Sequence, residues 1–191
     1  MDRQSILNNY VTDMAAVEKH ILEAVEQQAS TDDVRKYPEA AKVINTLAST
    51  LSRHVEALEA YNESTEGGSV KEAAKEALGA ALGFAAGLYN KLRQTDQVSR
   101  MIRDDYTAVG LAAISYHMLH TTALGLKDQR VADMALEHLK DLTPILVDLS
   151  KVVCHVVADE LEDEDKVFTA SIAEQAVRNT QQAWSRETTE A

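Results

Sequence analysis

Two ionisable residues occupy positions that should face the interior of the protein. Glu18 falls within a run of apolar residues spaced by three and four, and His54 falls within a second such run. This spacing is typical of the inward stripe of an amphipathic helix. A carboxylate in a core loses much of its hydration energy unless a metal, a cation or a hydrogen-bond donor replaces the water. The sequence therefore predicts a partner for Glu18.

Two predicted helices carry these stripes. The first covers residues 5–29, and its inward positions are Leu7, Val11, Met14, Glu18, Ile21 and Val25. The second begins at Pro38, which suits a first helical position, and continues to about residue 61. Its inward positions are Ile44, Leu47, Leu51, His54, Leu58 and Tyr61. Short polar residues at 30–33 indicate a turn between the two helices.

A predicted helix over residues 70–94 has an unusual face. Gly79, Gly83 and Gly87 recur every four residues among alanines, so one side has almost no side chains. Each glycine costs about 1 kcal/mol of helix propensity relative to alanine. Such a stripe can pack membrane helices, but charged residues flank a stretch that is too short to span a bilayer. We therefore expect this helix to cross tightly over the other helices or over a second copy of the chain.

Two long helices and a shorter one are predicted in the last part of the chain. Residues 104–126 are apolar over a wide arc, with Ile114 and Met118 beside the inward stripe, which predicts the most buried helix. In the next helix we assign the inward stripe to Leu139, Leu142, Leu146, Leu149, Val153 and Val156, without a polar insertion. Pro144 should kink that helix or shift its start, and the acidic run at 159–165 should end it. A weaker pattern, including Ile172 and Trp184, predicts a short C-terminal helix on the outside.

Composition sets the fold class and excludes several functions. A chain of 191 residues with two prolines and seven glycines, rich in helix-forming residues, is typical of an all-α protein with a single domain, here residues 1–185. The net charge of -12 argues against a basic surface for nucleic acid. Cys154 has no second cysteine to pair with and is expected to be a small buried hydrophobe. Without a signal peptide or an apolar run of about 20 residues, we expect a cytoplasmic protein with no membrane span and a disordered tail at 186–191.

The order of helices is that of a ferritin-like four-helix bundle, with an extra glycine-rich crossover helix and a short C-terminal helix. The segment at 11–19, VTDMAAVEK, followed by YPE at 37–39 and HVEALE at 54–59, resembles the opening of the bacterial ferritin-like stress-response proteins of the YciE and YciF type. The resemblance covers residues 5–160 in helix lengths, but only the first two helices in motif. It implies a four-helix bundle, a homodimer and a di-metal centre.

Most of the ligands that the resemblance implies are missing. The glutamate of the first helix falls on Glu18, and the carboxylate and histidine of the second fall on Thr50 and His54. The glutamate of the third helix falls near Ala112, and those of the fourth fall at 141–146, where only Asp141 is an acid. A di-iron site needs about four carboxylates with nitrogen ligands from four helices. The resemblance therefore favours the fold over the metal chemistry.

Two kinds of site remain possible. Counting residues from the helix ends places Glu18 level with Thr50, with His54 and Tyr116 about one turn away, or about 5.4 Å. These residues would form a hydrogen-bonded cluster or, with Asp141, a mononuclear metal site; His120 lies too far along its helix to join them. His117 with His120, and His138 with Asp141, are weaker candidates.

We interpret the chain as a non-enzymatic, oligomeric protein of stress-response type whose di-metal centre is degenerate, without a cofactor. The alternative is an iron- or manganese-binding protein with a remodelled site and oxidase or iron-handling activity. No phosphate loop, CxxC pair or serine nucleophile motif is present in the sequence.

Overall fold

The computed structural model describes residues 3–65, 97–165 and 170–185, and it has six helices and no strand in those ranges. The helices are α1 (Arg3–Ala29), the single turn α2 (Asp32–Arg35), α3 (Pro38–Thr65), α4 (Val98–Leu126), α5 (Gln129–Asp165) and α6 (Ala170–Trp184). The all-α prediction is confirmed. The glycine stripe Gly79, Gly83 and Gly87, the helix predicted at 70–94 and the tail at 186–191 lie outside the described residues.

Four long helices pack around a shared core. Helix α1 packs against α3 and α4, and α5 packs against the same two helices. Every predicted inward position of α1 and α3 is buried, including Glu18 and His54. Each stripe places the apolar side chains of its helix on the face that meets the core, and burial of that apolar surface stabilises the fold.

Neighbouring helices run in opposite directions. Thr12 in α1 contacts Asn62 in α3, whereas Gln28, later in α1, contacts Asp105 near the start of α4. At one end of α5, Arg130 reaches Ser64 near the end of α3. At the other end of α5, Glu160 accepts hydrogen bonds from the backbone N–H and the hydroxyl of Ser99, the second residue of α4.

The end of α3 and the start of α4 therefore lie at opposite ends of the packed helices. They contact Arg130 and Glu160 of α5, respectively. Those residues are separated by about 45 Å at 1.5 Å per helical residue. Helices α3 and α4 consequently run in the same direction, and the chain between them has to connect the two ends.

Helix α4 differs from its predicted form in two ways. It begins at Val98, six residues before the expected start, because Glu160 satisfies a backbone N–H in its first turn. The prediction that α4 is buried over a wide arc was wrong for its outer face, where Ile114 and Met118 are 56% and 51% exposed. The inward stripe through Val109 and Tyr116 is buried, and the face opposite to it has no described helix against it.

Helix α5 continues through Pro144 and through the acidic run to Asp165, where the described range ends. Proline removes one backbone donor, but the exposed Pro144 does not interrupt the helix. The assigned inward stripe was wrong in part: Leu139, Leu146 and Val153 are only half-buried. The buried stripe is Val131, Ala135, His138, Leu142, Ile145, Leu149, Val152 and Val156.

Helix α6 packs on the outside of α5, as predicted. Its buried contact is Ala173, whereas the predicted Ile172 and Trp184 are 40% and 58% exposed. Together α4, α5 and α6 enclose a groove of about 320 Å³. Cys154, predicted to be buried, lies at intermediate burial in the lining of this groove.

Candidate metal centre

Each of the four long helices contributes one polar side chain to a cluster in the core. Glu18 of α1 is 0% exposed, His54 of α3 is 1%, Tyr116 of α4 is 0% and His138 of α5 is 5%. Each stands in the inward stripe of its helix, where the preceding and following members are apolar. The same periodicity that builds the core therefore brings these four residues together.

Two hydrogen-bonding contacts involve the ring nitrogens of His54. Nδ1 lies 3.2 Å from Oε1 of Glu18, and Nε2 lies 3.3 Å from Oδ2 of Asp141. Asp141 also accepts a bond of 3.2 Å from the exposed Arg53. Its side chain is 33% exposed, so this acid connects the cluster to the surface between α3 and α5.

The position of the His54 proton follows from the charge of Asp141. Partial burial tends to raise the pKa of Asp141, but hydrogen bonds from His54 and Arg53 outweigh it and lower the pKa below its ordinary value. The ionised Asp141 can only accept, so Nε2 of His54 donates to it. In a neutral ring Nδ1 is then an acceptor that faces Oε1 of Glu18. These two acceptors have to share either a proton or a cation.

Burial raises the pKa of Glu18, against the opposing effects of His54 and the Tyr116 hydroxyl. A protonated Glu18 can donate to Nδ1 of His54 and so satisfy both groups without a metal. Its second oxygen, Oε2, is buried and has no hydrogen-bond partner. A buried carboxyl oxygen without a partner is costly, and a further donor or a cation in this space would offset that cost.

Tyr116 and His138 form the second half of the cluster. The Tyr116 hydroxyl lies 2.7 Å from Nδ1 of His138. Burial, together with the charge of Glu18, raises the pKa of Tyr116 well above its usual range, and burial, together with His54, lowers the pKa of His138 to about 3. Both groups are therefore neutral at ordinary pH. Although Glu18 is near the same hydroxyl, the short distance assigns its single proton to His138.

Three of these residues can present metal ligands. One ligand atom from each of Glu18, His54 and His138 lies within 4.8 Å of the other two. In the described ranges this is the one group of three or more histidines, cysteines or acids placed in this way. Two ligands bound at about 2.1 Å to one metal are separated by roughly 3.0–3.4 Å at right or tetrahedral angles, which is close to the separation of Glu18 and His54.

One feature of the cluster favours a metal-free state. The rings of His54 and His138 are stacked, with centroids 3.8 Å apart and planes at 2°. The lone pair of an imidazole nitrogen lies in the ring plane, so two parallel rings do not direct their lone pairs at one point. A shared metal therefore requires one of the two rings to rotate.

The structure brings together four residues that the sequence singled out. Glu18, His54 and Tyr116 are in one cluster, with Asp141 at its edge. His138 had been considered only with Asp141, and its place beside Tyr116 was missed. The signal was present in the sequence, since His138 belongs to a second stripe spaced by three and four along α5.

The other candidates lie elsewhere. Nδ1 of His120 is 2.8 Å from the carbonyl of Ala132, and His117 is exposed. The positions that the resemblance assigns to further carboxylates are filled by Thr50 and Ala112, both buried, so within the described chain no second set of ligands adjoins the cluster.

A second buried polar group lies where α1 meets the start of α4. Nε2 of Gln28 donates to Oδ1 of Asp105 over 3.1 Å, but Oδ2 of Asp105 has no partner. Burial raises the pKa of Asp105 to about 7; the bond from Gln28 opposes this shift and the charge of Asp104 adds to it. This acid is separate from the cluster, and among the described residues it belongs to no group of three or more potential metal ligands.

Comparison with protein-family models, with curated proteins and with solved structures finds no match to this chain. None of the helices in the described ranges 3–65, 97–165 and 170–185 is both long and apolar enough to cross a membrane. The functional argument therefore rests on the cluster itself.

Proposed function

We propose that this protein binds a single transition-metal ion in the core of its helices, through Glu18, His54 and His138. The observation that carries the proposal is the convergence of three buried ligand atoms, from three helices, within 4.8 Å. Two imidazoles and a carboxylate are the donors of non-haem iron sites, and the same donors also bind zinc and manganese. This is the alternative interpretation of the sequence, an iron- or manganese-binding protein with a remodelled site, with His138 as an added ligand.

The arrangement of the helices supports a ferritin-like four-helix bundle as the scaffold. Each long helix is antiparallel to its two packed neighbours, and the chain from α3 to α4 has to connect opposite ends. A long crossover between the second and third bundle helices is the connectivity of ferritin-like folds. Relationship to the YciE and YciF type, a role in stress response, a homodimer and a cytoplasmic location remain part of this proposal.

A metal-free polar cluster is the second candidate function for these residues. The stacked rings of His54 and His138 favour it, because they do not direct two lone pairs at one point. In that case the cluster fixes how the four helices meet, and the protein is a non-enzymatic structural or interaction protein. Buried polar groups are known to select one arrangement of packed helices at some cost in stability.

Metal content distinguishes the two candidates. We expect about one iron, manganese or zinc per chain in protein purified without chelator, or after loading with each metal followed by desalting. Glu18→Gln and His138→Asn should lose most of the bound metal, because each removes one of three ligands. The matched control is His117→Asn, which changes an exposed histidine outside the cluster and should leave the metal content unchanged.

Two results would decide against the proposal. Wild-type protein that retains no metal after loading with any of the three ions supports the structural cluster. Metal that is retained equally by the wild type and by both site variants lies elsewhere, for example on the acidic surface.

A further inference from the structure

A fourth possible ligand faces the same space as the three already described. The hydroxyl oxygen of Tyr116 lies 2.7 Å from Nδ1 of His138 and close to the carboxylate of Glu18. Tyr116 is fully buried, and its hydroxyl points at these polar groups within an apolar core. With Tyr116 included, every long helix supplies one donor: an oxygen from α1, a nitrogen from α3, an oxygen from α4 and a nitrogen from α5.

We propose that Tyr116 binds the metal directly as a phenolate and that the site is thereby suited to ferric iron. The inference rests on the proposed metal centre and adds to it both a ligand and a metal class. The separation of 2.7 Å between the Tyr116 oxygen and the His138 nitrogen is that of a hydrogen bond, and it has to lengthen by only about 0.3 Å to reach the separation of neighbouring ligands of one metal ion.

The charges of the donor set favour a trivalent ion. Glu18 and a Tyr116 phenolate supply two negative charges, so a ferric ion bound by them retains one positive charge. Asp141, 3.3 Å from His54, adds no net charge beside the centre because Arg53 pairs with it at 3.2 Å. The preference for a trivalent ion therefore rests on the two anionic oxygens, which attract an ion of higher charge more strongly. Anionic oxygen donors with imidazole suit iron, and tyrosinate is a known iron ligand in proteins.

Binding exchanges a proton for the metal. The O–H bond of Tyr116 breaks as the iron–oxygen bond forms, the proton passes to the solvent, and a water or chelator ligand leaves the iron. No electron is transferred when the iron is supplied in the ferric state. Proton loss also removes the hydroxyl donor that holds Nδ1 of His138. The His138 ring is then released from its place against His54, which permits the rotation that a shared metal requires.

The test uses the visible absorption of the full-length protein loaded with ferric nitrilotriacetate and then desalted. A phenolate bound to ferric iron gives a strong charge-transfer band in the visible region, whereas carboxylate and imidazole ligands alone do not. We expect this band in the wild type and in the control Tyr106→Phe, which changes a tyrosine of the same helix at the separate groove. In Tyr116→Phe the band should be lost, and the iron retained should fall at least tenfold.

Iron analysis is made on the same samples, so that the two proposals can fail separately. One iron per chain without the visible band would overturn Tyr116 as a ligand and leave the metal centre intact. No iron in the wild type would overturn Tyr116 as a ligand of ferric iron, and the metal centre as well if manganese and zinc are not retained either. Resonance Raman spectra of the wild type alone provide a second measurement that does not depend on the folding of a variant: phenolate ring modes enhanced in the visible band support the inference, and their absence refutes it.

Discussion

Replacing Glu18 and His54 by leucine, singly and together, tests whether the core pairs them as the structure indicates. Both side chains are buried, with Nδ1 of His54 and Oε1 of Glu18 3.2 Å apart. In His54→Leu the acid loses this partner, and its second oxygen already has none. Breaking a buried pair costs roughly 3–5 kcal/mol. Because Glu18 can take up a proton, we expect the lower end of that range, about 3 kcal/mol.

Glu18→Leu and the double variant complete a double-mutant cycle for this pair. Glu18→Leu leaves only Nδ1 of His54 unpaired, since Asp141 still accepts from Nε2, so the expected cost is about 2 kcal/mol. The double variant removes both polar groups from apolar stripes of similar volume. The bond between Tyr116 and His138 does not involve either replaced residue and remains. We therefore expect the double variant to lie within about 1 kcal/mol of wild type, which gives a coupling energy of about 4–6 kcal/mol.

The assay is urea denaturation followed by far-ultraviolet circular dichroism, with a chelator present so that all four proteins are metal-free. The control cycle replaces Lys19 and Glu59, an exposed pair joining the same two helices at 3.4 Å. Surface pairs of this kind couple by less than about 1 kcal/mol. If the losses in free energy of unfolding caused by Glu18→Leu and His54→Leu simply add in the double variant, the two residues are not energetically coupled and the reasoning fails.

Two further predictions concern sites outside the cluster. Burial raises the pKa of Asp105 to about 7, so its contribution to stability is fully present below pH 4 and is lost as the pH rises through 7. From pH 4 to 8 the wild type should lose on the order of 4 kcal/mol more stability than Asp105→Asn, measured by urea midpoints, while the exposed Asp148→Asn should follow the wild type. Lys127 ends α4 with a φ of 61°, a conformation that glycine adopts without strain. Lys127→Gly should therefore stabilise the protein by about 0.5–1 kcal/mol, whereas Lys140→Gly, within α5, should destabilise it by about 1 kcal/mol. Thermal unfolding temperatures that shift in the same direction in both variants would contradict this.

The inward faces of α1 and α3 could be predicted from sequence because each has a single stripe. Glu18 and His54 are polar insertions in otherwise apolar series, so one helical period accounts for their burial. Counting from the turn between the helices then placed them within one turn of each other. Tyr116 was also placed correctly, because its stripe in α4 follows the same helical spacing and is buried.

Helix α5 could not be assigned in the same way because it has two apolar stripes that share three residues. Leu142, Leu149 and Val156 belong to both. One stripe continues through the half-buried Leu146, and the other through the buried His138. Local periodicity does not distinguish them. The choice depends on how α5 is rotated against α3 and α4, and that rotation is set by contacts distant in sequence. His138 was missed for this reason.

The gap in stability between the wild type and the double variant should widen when metal is added. Without metal, Nδ1 of His54 and Oε1 of Glu18 have to share one proton and Oε2 has no partner, so replacing both residues by leucine costs little. A bound cation satisfies the same atoms and stabilises only the folded wild type, by about 2.7 kcal/mol at a free concentration one hundred times the Kd. The wild type should then be more stable than the double variant by that amount, with the midpoint rising with metal concentration in the wild type alone. A midpoint that does not respond to iron, manganese or zinc in any of the four proteins would show that the pair is structural.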